Sequence, residues 1–173
     1  METARKIRLA CMLGLSLLLT ACVTSQVTTD FSQVTRPLPI PITVEACIDL
    51  TGTTAADLGS QATSAFIEQL EASEEYVVQE DAEYSLACEV NNYLPGNAFQ
   101  RWIMPGWGAT VGQVSAMLQD AKTGEIKLIV TGDATLGAGG LYTVGAWQYI
   151  VPAAVKNTVK QLRAWARGEP DEG

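Results

Sequence analysis

The stretch ATVGQVSAMLQDAKTGEIKLIVTGDATL, residues 109–136, decides the fold. Its first run, Ala109–Gln119, alternates: Gly112, Val114, Ala116 and Leu118 share one side, and polar residues largely fill the other. Its second run, Glu125–Leu136, puts Ile126, Leu128, Val130, Ala134 and Leu136 on one face and Glu125, Lys127, Thr131 and Asp133 on the opposite face. A period of two is the signature of a half-buried strand. Between the runs, Asp120-Ala121-Lys122-Thr123-Gly124 offers a turn with a glycine free to take positive φ. The pattern predicts an antiparallel hairpin with one face in a core and the other in water.

Working outward, Ile42–Leu50 reads as a first strand and Thr51-Gly52-Thr53 as a turn. Thr54-Ala55-Ala56-Asp57 has the form of a capping box ahead of a helix over 55–72. Leu58, Ala62, Phe66 and Leu70 fall on one side of that helix, with Asp57, Glu68, Glu71 and Glu75 on the other. Tyr76–Gln79 and Glu83–Asn91 follow as short strands. Beyond the glycine-rich stretch 137–140, Pro152 belongs in the first turn of a helix, so the last helix is predicted to begin near Val151, with kinked turns before it the alternative. Val155, Val159, Leu162 and Ala166 form its apolar face, beside a narrow arc of Lys156, Lys160, Arg163 and Arg167. A solvated surface, turned in part toward the acidic first helix, is the expected role of that arc. The fold class is α+β, ordered β-α-β-β-β-β-α: a single, mostly antiparallel sheet with two helices packed on one face. This domain occupies residues 42–167, followed by an acidic tail, 168–173.

The N-terminus has a different character. Arg5, Lys6 and Arg8 precede an apolar run from Leu9 to Leu19, which ends at Leu19-Thr20-Ala21-Cys22. A basic patch, a short apolar core and small residues before a cut site describe a secretory signal peptide, here residues 1–21. The run is shorter than the roughly 20 residues that span a bilayer. Leu-Thr-Ala-Cys resembles the bacterial lipobox, whose cysteine is acylated and becomes the first mature residue. The resemblance implies fatty acylation, palmitate included, at Cys22. Val23 after it, in place of aspartate, implies sorting to the periplasmic face of the outer membrane. Residues 22–41, rich in Thr, Ser, Gln and Pro, read as a lipidated tether, with an ordered edge segment as the alternative.

The chain after residue 21 keeps 8 of the 11 Lys and Arg and 18 of the 19 Asp and Glu, a net charge of −10. Such a balance argues against nucleic acid as a partner. Of the four cysteines, Cys11 leaves with the signal and Cys22 is acylated, leaving Cys47 and Cys88 in an oxidising compartment. In continuous strands Cys47 alternates with polar residues and Cys88 with apolar ones. Directly paired residues share a face, so the parity predicts two mostly unpaired thiols unless a bulge intervenes.

The sequence contains no histidine. That removes the commonest general base, the usual nucleophilic triad and most zinc sites. Glu74, Glu75, Glu80, Asp81 and Glu83 sit around a helix end and a turn, where solvation rather than a catalytic carboxylate pair is expected. Gly106-Trp107-Gly108-Ala109-Thr110-Val111-Gly112 leads into a strand, where a dinucleotide loop needs a helix. The residues point to no enzyme, no cofactor and no metal. One segment stands out. Tyr93, Leu94, Phe99, Trp102, Ile103, Met104 and Trp107 crowd into one connection, with Arg101 among them and Pro95, Gly96, Pro105 and Gly106 breaking the backbone. Trp, Tyr and Arg dominate binding hot spots. Tyr93, Phe99, Arg101, Trp102 and Trp107 are therefore the candidate partner-binding residues; the alternative is that these rings fold back over the sheet.

The layout resembles a family of small bacterial envelope lipoproteins of unknown function. The matching residues are Asn97-Ala98-Phe99-Gln100-Arg101, Gly106-Trp107-Gly108-Ala109 and Asp120-Ala121-Lys122-Thr123-Gly124-Glu125, with Gly137-Ala138-Gly139-Gly140 before the last helix. The resemblance implies a fold and an envelope location but no activity. More distantly the layout is similar to periplasmic lipoproteins that switch on wall synthases or build secretion assemblies, at the level of fold alone. The expected function is a non-enzymatic, acyl-anchored lipoprotein. It is held to the membrane through Cys22 and binds a protein of the envelope. A carrier or sensor for an apolar ligand is the alternative.

Anchoring is expected to depend on Cys22. In Cys22→Ser the precursor should stay uncleaved by the lipoprotein peptidase and take up no labelled palmitate; labelled mutant protein would refute the assignment.

Overall fold

A computed structural model describes residues 37–54, 56–104, 106–137 and 145–169. The signal segment 1–21, Cys22, the tether up to residue 36 and residues 170–173 of the acidic tail lie outside the described residues, as does 138–144. The elements are β1 (Ile40–Val44), β2 (Ile48–Asp49), α1 (Leu58–Glu71), β3 (Tyr76–Val78), β4 (Tyr84–Leu94), α2 (Ala98–Ile103), β5 (Thr110–Asp120), β6 (Ile126–Leu136) and α3 (Trp147–Arg167).

The hairpin is where the alternation puts it: β5 and β6 pair antiparallel, and β4 pairs antiparallel with β5 on the other side. Asp120 closes the turn, its carboxylate accepting from the backbone of Lys122 and Thr123, while Gly124 takes φ +70°. The inward rows run across three strands as Leu86–Leu118–Leu128, Cys88–Ala116–Val130 and Val90–Val114–Gly132. Side-chain volume falls steeply along the last strand, and α3 uses the space. A Cβ on Gly132 would lie 2.4 Å from the Ala154 carbonyl oxygen, and one on Gly112 would lie 3.2 Å from Ile150. The Thr158 hydroxyl, inside this contact, donates to the Ala154 carbonyl at 3.0 Å and lies 3.2 Å from that of Val114.

The sheet is mixed: its long ladders are antiparallel, but it is not purely so. Its order is β3-β1-β4-β5-β6, and β1 runs parallel to both its neighbours. The reason is the helical return: α1 carries the chain back so that β3 starts in the same direction as β1, and alternation within a strand carries no direction. The link from β3 to β4 then crosses β1 at Thr43, whose hydroxyl donates to the Gln79 carbonyl and accepts from the Ala82 amide, both at 3.0 Å. Helices α1 and α3 cover one face. A third helix, α2, stands in the β4–β5 connection, where the sequence predicts none.

The first strand also differs. It begins at Ile40, which is buried, so Ile40 and Pro41 belong to the sheet and not to the tether. It breaks at Glu45–Cys47 and resumes as β2, which pairs with β4. Val44 faces Leu86 and Ile48 faces Glu89, so this strand carries one more residue than its partner between the same rungs. That bulge inverts the parity and brings Cys47 to Cys88, and the two form a disulfide with Cα atoms 4.6 Å apart. The expectation of unpaired thiols is thereby overturned. By loop-closure entropy, a bridge over 41 residues is worth about 4 kcal/mol.

Helix α1 is capped by Asp57 itself, which accepts from the Ser60 amide at 2.9 Å, one turn later than a box at Thr54 would place the start. Helix α3 begins at Trp147, not near Val151, and contains Pro152. Of its basic arc, Lys156 and Lys160 are exposed, but Arg163 and Arg167 grip Glu75, which is buried at the start of β3. Burial pushes the Glu75 carboxyl up. The hydrogen bonds from both guanidiniums, its own backbone amide and the Arg163 charge outweigh that and hold it below the ordinary value.

Two consequences follow from these contacts. Gly132→Ala drives a methyl into helix backbone and is expected to cost about 1–3 kcal/mol or more in a denaturant melt. Glu75, with its native pKa depressed, stabilises the fold above the unfolded-state value of about 4.3 and loses that contribution as pH falls through the native value. Stability of Glu75→Gln should therefore vary less with pH below that point than wild type. Parallel acid-unfolding curves would remove Glu75 from this role.

Candidate partner-binding surface

The β4–β5 connection is built from its polar residues outward. Asn97 caps α2, accepting from the amides of Phe99 at 3.0 Å and Gln100 at 3.2 Å. Its own amide donates to the Gly108 carbonyl at 2.9 Å, closing the connection at its base. The Arg101 guanidinium donates to that same carbonyl and to the Thr110 hydroxyl, each at 2.8 Å, and Thr110 passes the hydrogen bond on to the Pro95 carbonyl. Gly96, at φ +63°, lies where a Cβ would collide with the Gly108 and Ala109 carbonyl oxygens and with the Arg101 guanidinium, so the position requires glycine. Gly108 holds φ +68° below Gln100, and the Gly106 amide reaches the Gly137 carbonyl at the end of β6.

Arg101 is thus 2 % exposed, at the centre of the loop and not on its surface. Tyr93 is half-buried and packs against the core. Burial raises its hydroxyl pKa, against the Arg101 charge and a backbone hydrogen bond with Trp147. These two candidates are architectural. The other three face outward: Phe99, Trp102 and Trp107 are 59 %, 69 % and 51 % exposed. The Phe99 and Trp102 rings lie 6.1 Å apart. Leu94, Ile103 and Met104 are also more than half exposed and extend the patch, although neither Leu94 nor the Ile103-Met104 pair carries a hot-spot residue type. The rings do not fold back over the sheet, because a buried guanidinium occupies the inside of the loop.

Two of the three sequence motifs meet here. Asn97, Arg101 and Gly108 form one hydrogen-bonded unit, Gly106 bonds instead to Gly137, and the Asp120–Glu125 motif is the hairpin turn at the other end of β5. Elsewhere, a shallow hollow between the β1–β2 break and α1 is lined by Ala46, Cys47, Asp57, Ser60, Thr63 and Ser64. Thr63 is already engaged, accepting from the Cys47 amide at 2.8 Å and donating to the Gly59 carbonyl at 2.9 Å. Among the described residues no three Cys, Asp or Glu side chains come together as a metal site, and no helix is long and apolar enough to cross a membrane.

No protein-family model matches the chain, and no curated protein matches it in sequence. Solved structures share its fold. The PelC dodecamer from Paraburkholderia phytofirmans superposes with a TM-score of 0.54 at 17 % identity, over 73 % of this chain and 90 % of that one. The hypothetical protein CT253 from Chlamydia trachomatis reaches 0.52 at 8 % identity, over 73 % and 97 % of the two chains. The DUF330 protein XCC0632 from Xanthomonas campestris reaches 0.52 at 12 %, over 76 % and 88 %. This chain therefore has the fold of a set of bacterial proteins, one of them from a family named only as a domain of unknown function.

Proposed function

We propose that the protein is a non-enzymatic lipoprotein, acylated at Cys22 and held on the periplasmic face of the outer membrane. Its domain docks another envelope component through Phe99, Trp102 and Trp107. One observation carries the docking: large apolar side chains stand in water on a loop that a buried arginine holds rigid. Surface aromatics on a preorganised base lose little conformational freedom on binding, which is the property of a hot spot. The lipobox at Leu19–Cys22 carries the anchoring, and the absence of histidine supports a role without catalysis.

The surface and its support separate in mutants. Trp102→Ala and Trp107→Ala are each expected to change unfolding free energy by less than about 1 kcal/mol, while weakening partner binding by about 2 kcal/mol or more. Arg101→Lys keeps the charge but loses the guanidinium whose Nη1 donates to both Gly108 and Thr110, and is expected to cost about 1–3 kcal/mol in stability. Denaturant melts of the three variants decide. Losses of about 3–5 kcal/mol in both tryptophan variants would place those rings in the core and end the docking reading.

A further inference from the structure

The aromatic loop and the point where the chain enters β1 lie at opposite ends of the domain. Strand β1 starts at Ile40, and Ile42 stands opposite Tyr84, the first residue of β4. Because the two strands are parallel, the chain arrives from the tether at the end where β4 begins. The aromatic loop leaves from Leu94, where β4 ends. Eleven residues of strand separate the two ends by about 35 Å.

The tether sets which end the membrane sees. Fourteen residues lie between Cys22 and Pro37. A chain of that length would reach about 50 Å fully extended, and would typically span about 20 Å as a coil. Turning the aromatic end to the anchoring bilayer would need the tether drawn nearly straight along the whole domain. That sacrifices most of its conformational freedom.

Charge points the same way. In a chain this acidic, no Asp, Glu or Lys occurs from Asn91 to Gln119, and no charged residue at all from Ala134 to Val155. The single charge in these segments, Arg101, is buried. The Gly106–Gly137 hydrogen bond ties the aromatic loop to the end of β6, and Tyr93 and Trp147 both pack against the core. The domain thus has an uncharged, aromatic pole opposite the start of β1.

We infer that this pole is a distal docking site for a protein surface that is itself uncharged and apolar, carried by a component that faces the anchoring membrane. The inference rests on the anchor and the docking loop proposed above and adds the direction and chemistry of the partner. Copies anchored side by side point their poles the same way. Pole-to-pole pairing would require one domain to turn over.

The test uses the acylated full-length mature chain in phosphatidylcholine vesicles, with and without bromine on the lipid acyl chains. A Trp102→Phe, Trp107→Phe variant supplies the emission of the remaining tryptophans, and subtraction leaves that of the pole. The expected result is pole emission unchanged by brominated lipid and quenched several-fold by aqueous acrylamide. A loss of half or more in brominated vesicles would place the pole in the anchoring bilayer and overturn the inference. Acrylamide shielding that appears only as copies crowd the vesicle would assign the pole to a second copy, and overturns it equally. Failure of the docking reading is separate: there the alanine variants bind as wild type whichever way the pole points.

Discussion

Helix α3 reaches the sheet only because Gly132 leaves the backbone bare. With the helix carbonyl of Ala154 where a Cβ would be 2.4 Å away, β6 and α3 pack backbone against backbone. Nearly everything else in the domain hangs on that seat. From it, the Leu162 carbonyl receives the Tyr76 hydroxyl at 2.6 Å, tying in the far edge strand β3. Arg163 and Arg167 close on Glu75, and Trp165 meets Tyr84 edge-on at 6.3 Å. Asn157 and Gln161 give their side-chain amides to the carbonyls of Asp133 and Thr131 on β6. They blunt an outer strand that would otherwise offer its hydrogen bonds to another chain.

The loop inverts the usual arrangement of a connection, with its charge inside and its rings outside. A buried guanidinium is tolerable only if its donors find acceptors, and two backbone carbonyls and a threonine hydroxyl serve here as its direct or relayed partners. Those bonds are short-range in sequence but join both ends of the connection, so α2 is held as a rigid step. The apolar residues between cannot also turn inward, since the interior of so small a loop is already filled. Exposure of Phe99, Trp102 and Trp107 follows from the polar choice made at Arg101 and Gly96.

Much of the architecture could be read from local patterns, because alternation and helical periodicity record burial residue by residue. The hairpin and the apolar faces of the two long helices were legible for that reason. The mixed sheet was not, since strand direction depends on how α1 folds back. The disulfide was missed for a related cause: the extra residue near Glu45–Cys47 shows only as a mismatch between two strands 40 residues apart in sequence, and one residue flips the face of everything after it. The arginine was noticed for its type and placed on the wrong side, because a hot-spot residue and a buried clamp look identical until their acceptors are known.

The sequence by itself determined what is local or covalent in kind: the signal and lipobox pattern ending at Cys22, the absence of histidine, the segregation of charge from residues 91–119, and which face of each long element is apolar. Only the tertiary structure decided relations between distant segments. It set β1 parallel to β4, and with that the placement of the aromatic loop at the end of the sheet opposite the start of β1. It paired Cys47 with Cys88, buried Arg101 and packed one side of Tyr93 against the core. The physical reason is that periodicity reports how deeply a residue is buried, whereas direction, partner and pole depend on contacts whose two halves lie far apart in the chain.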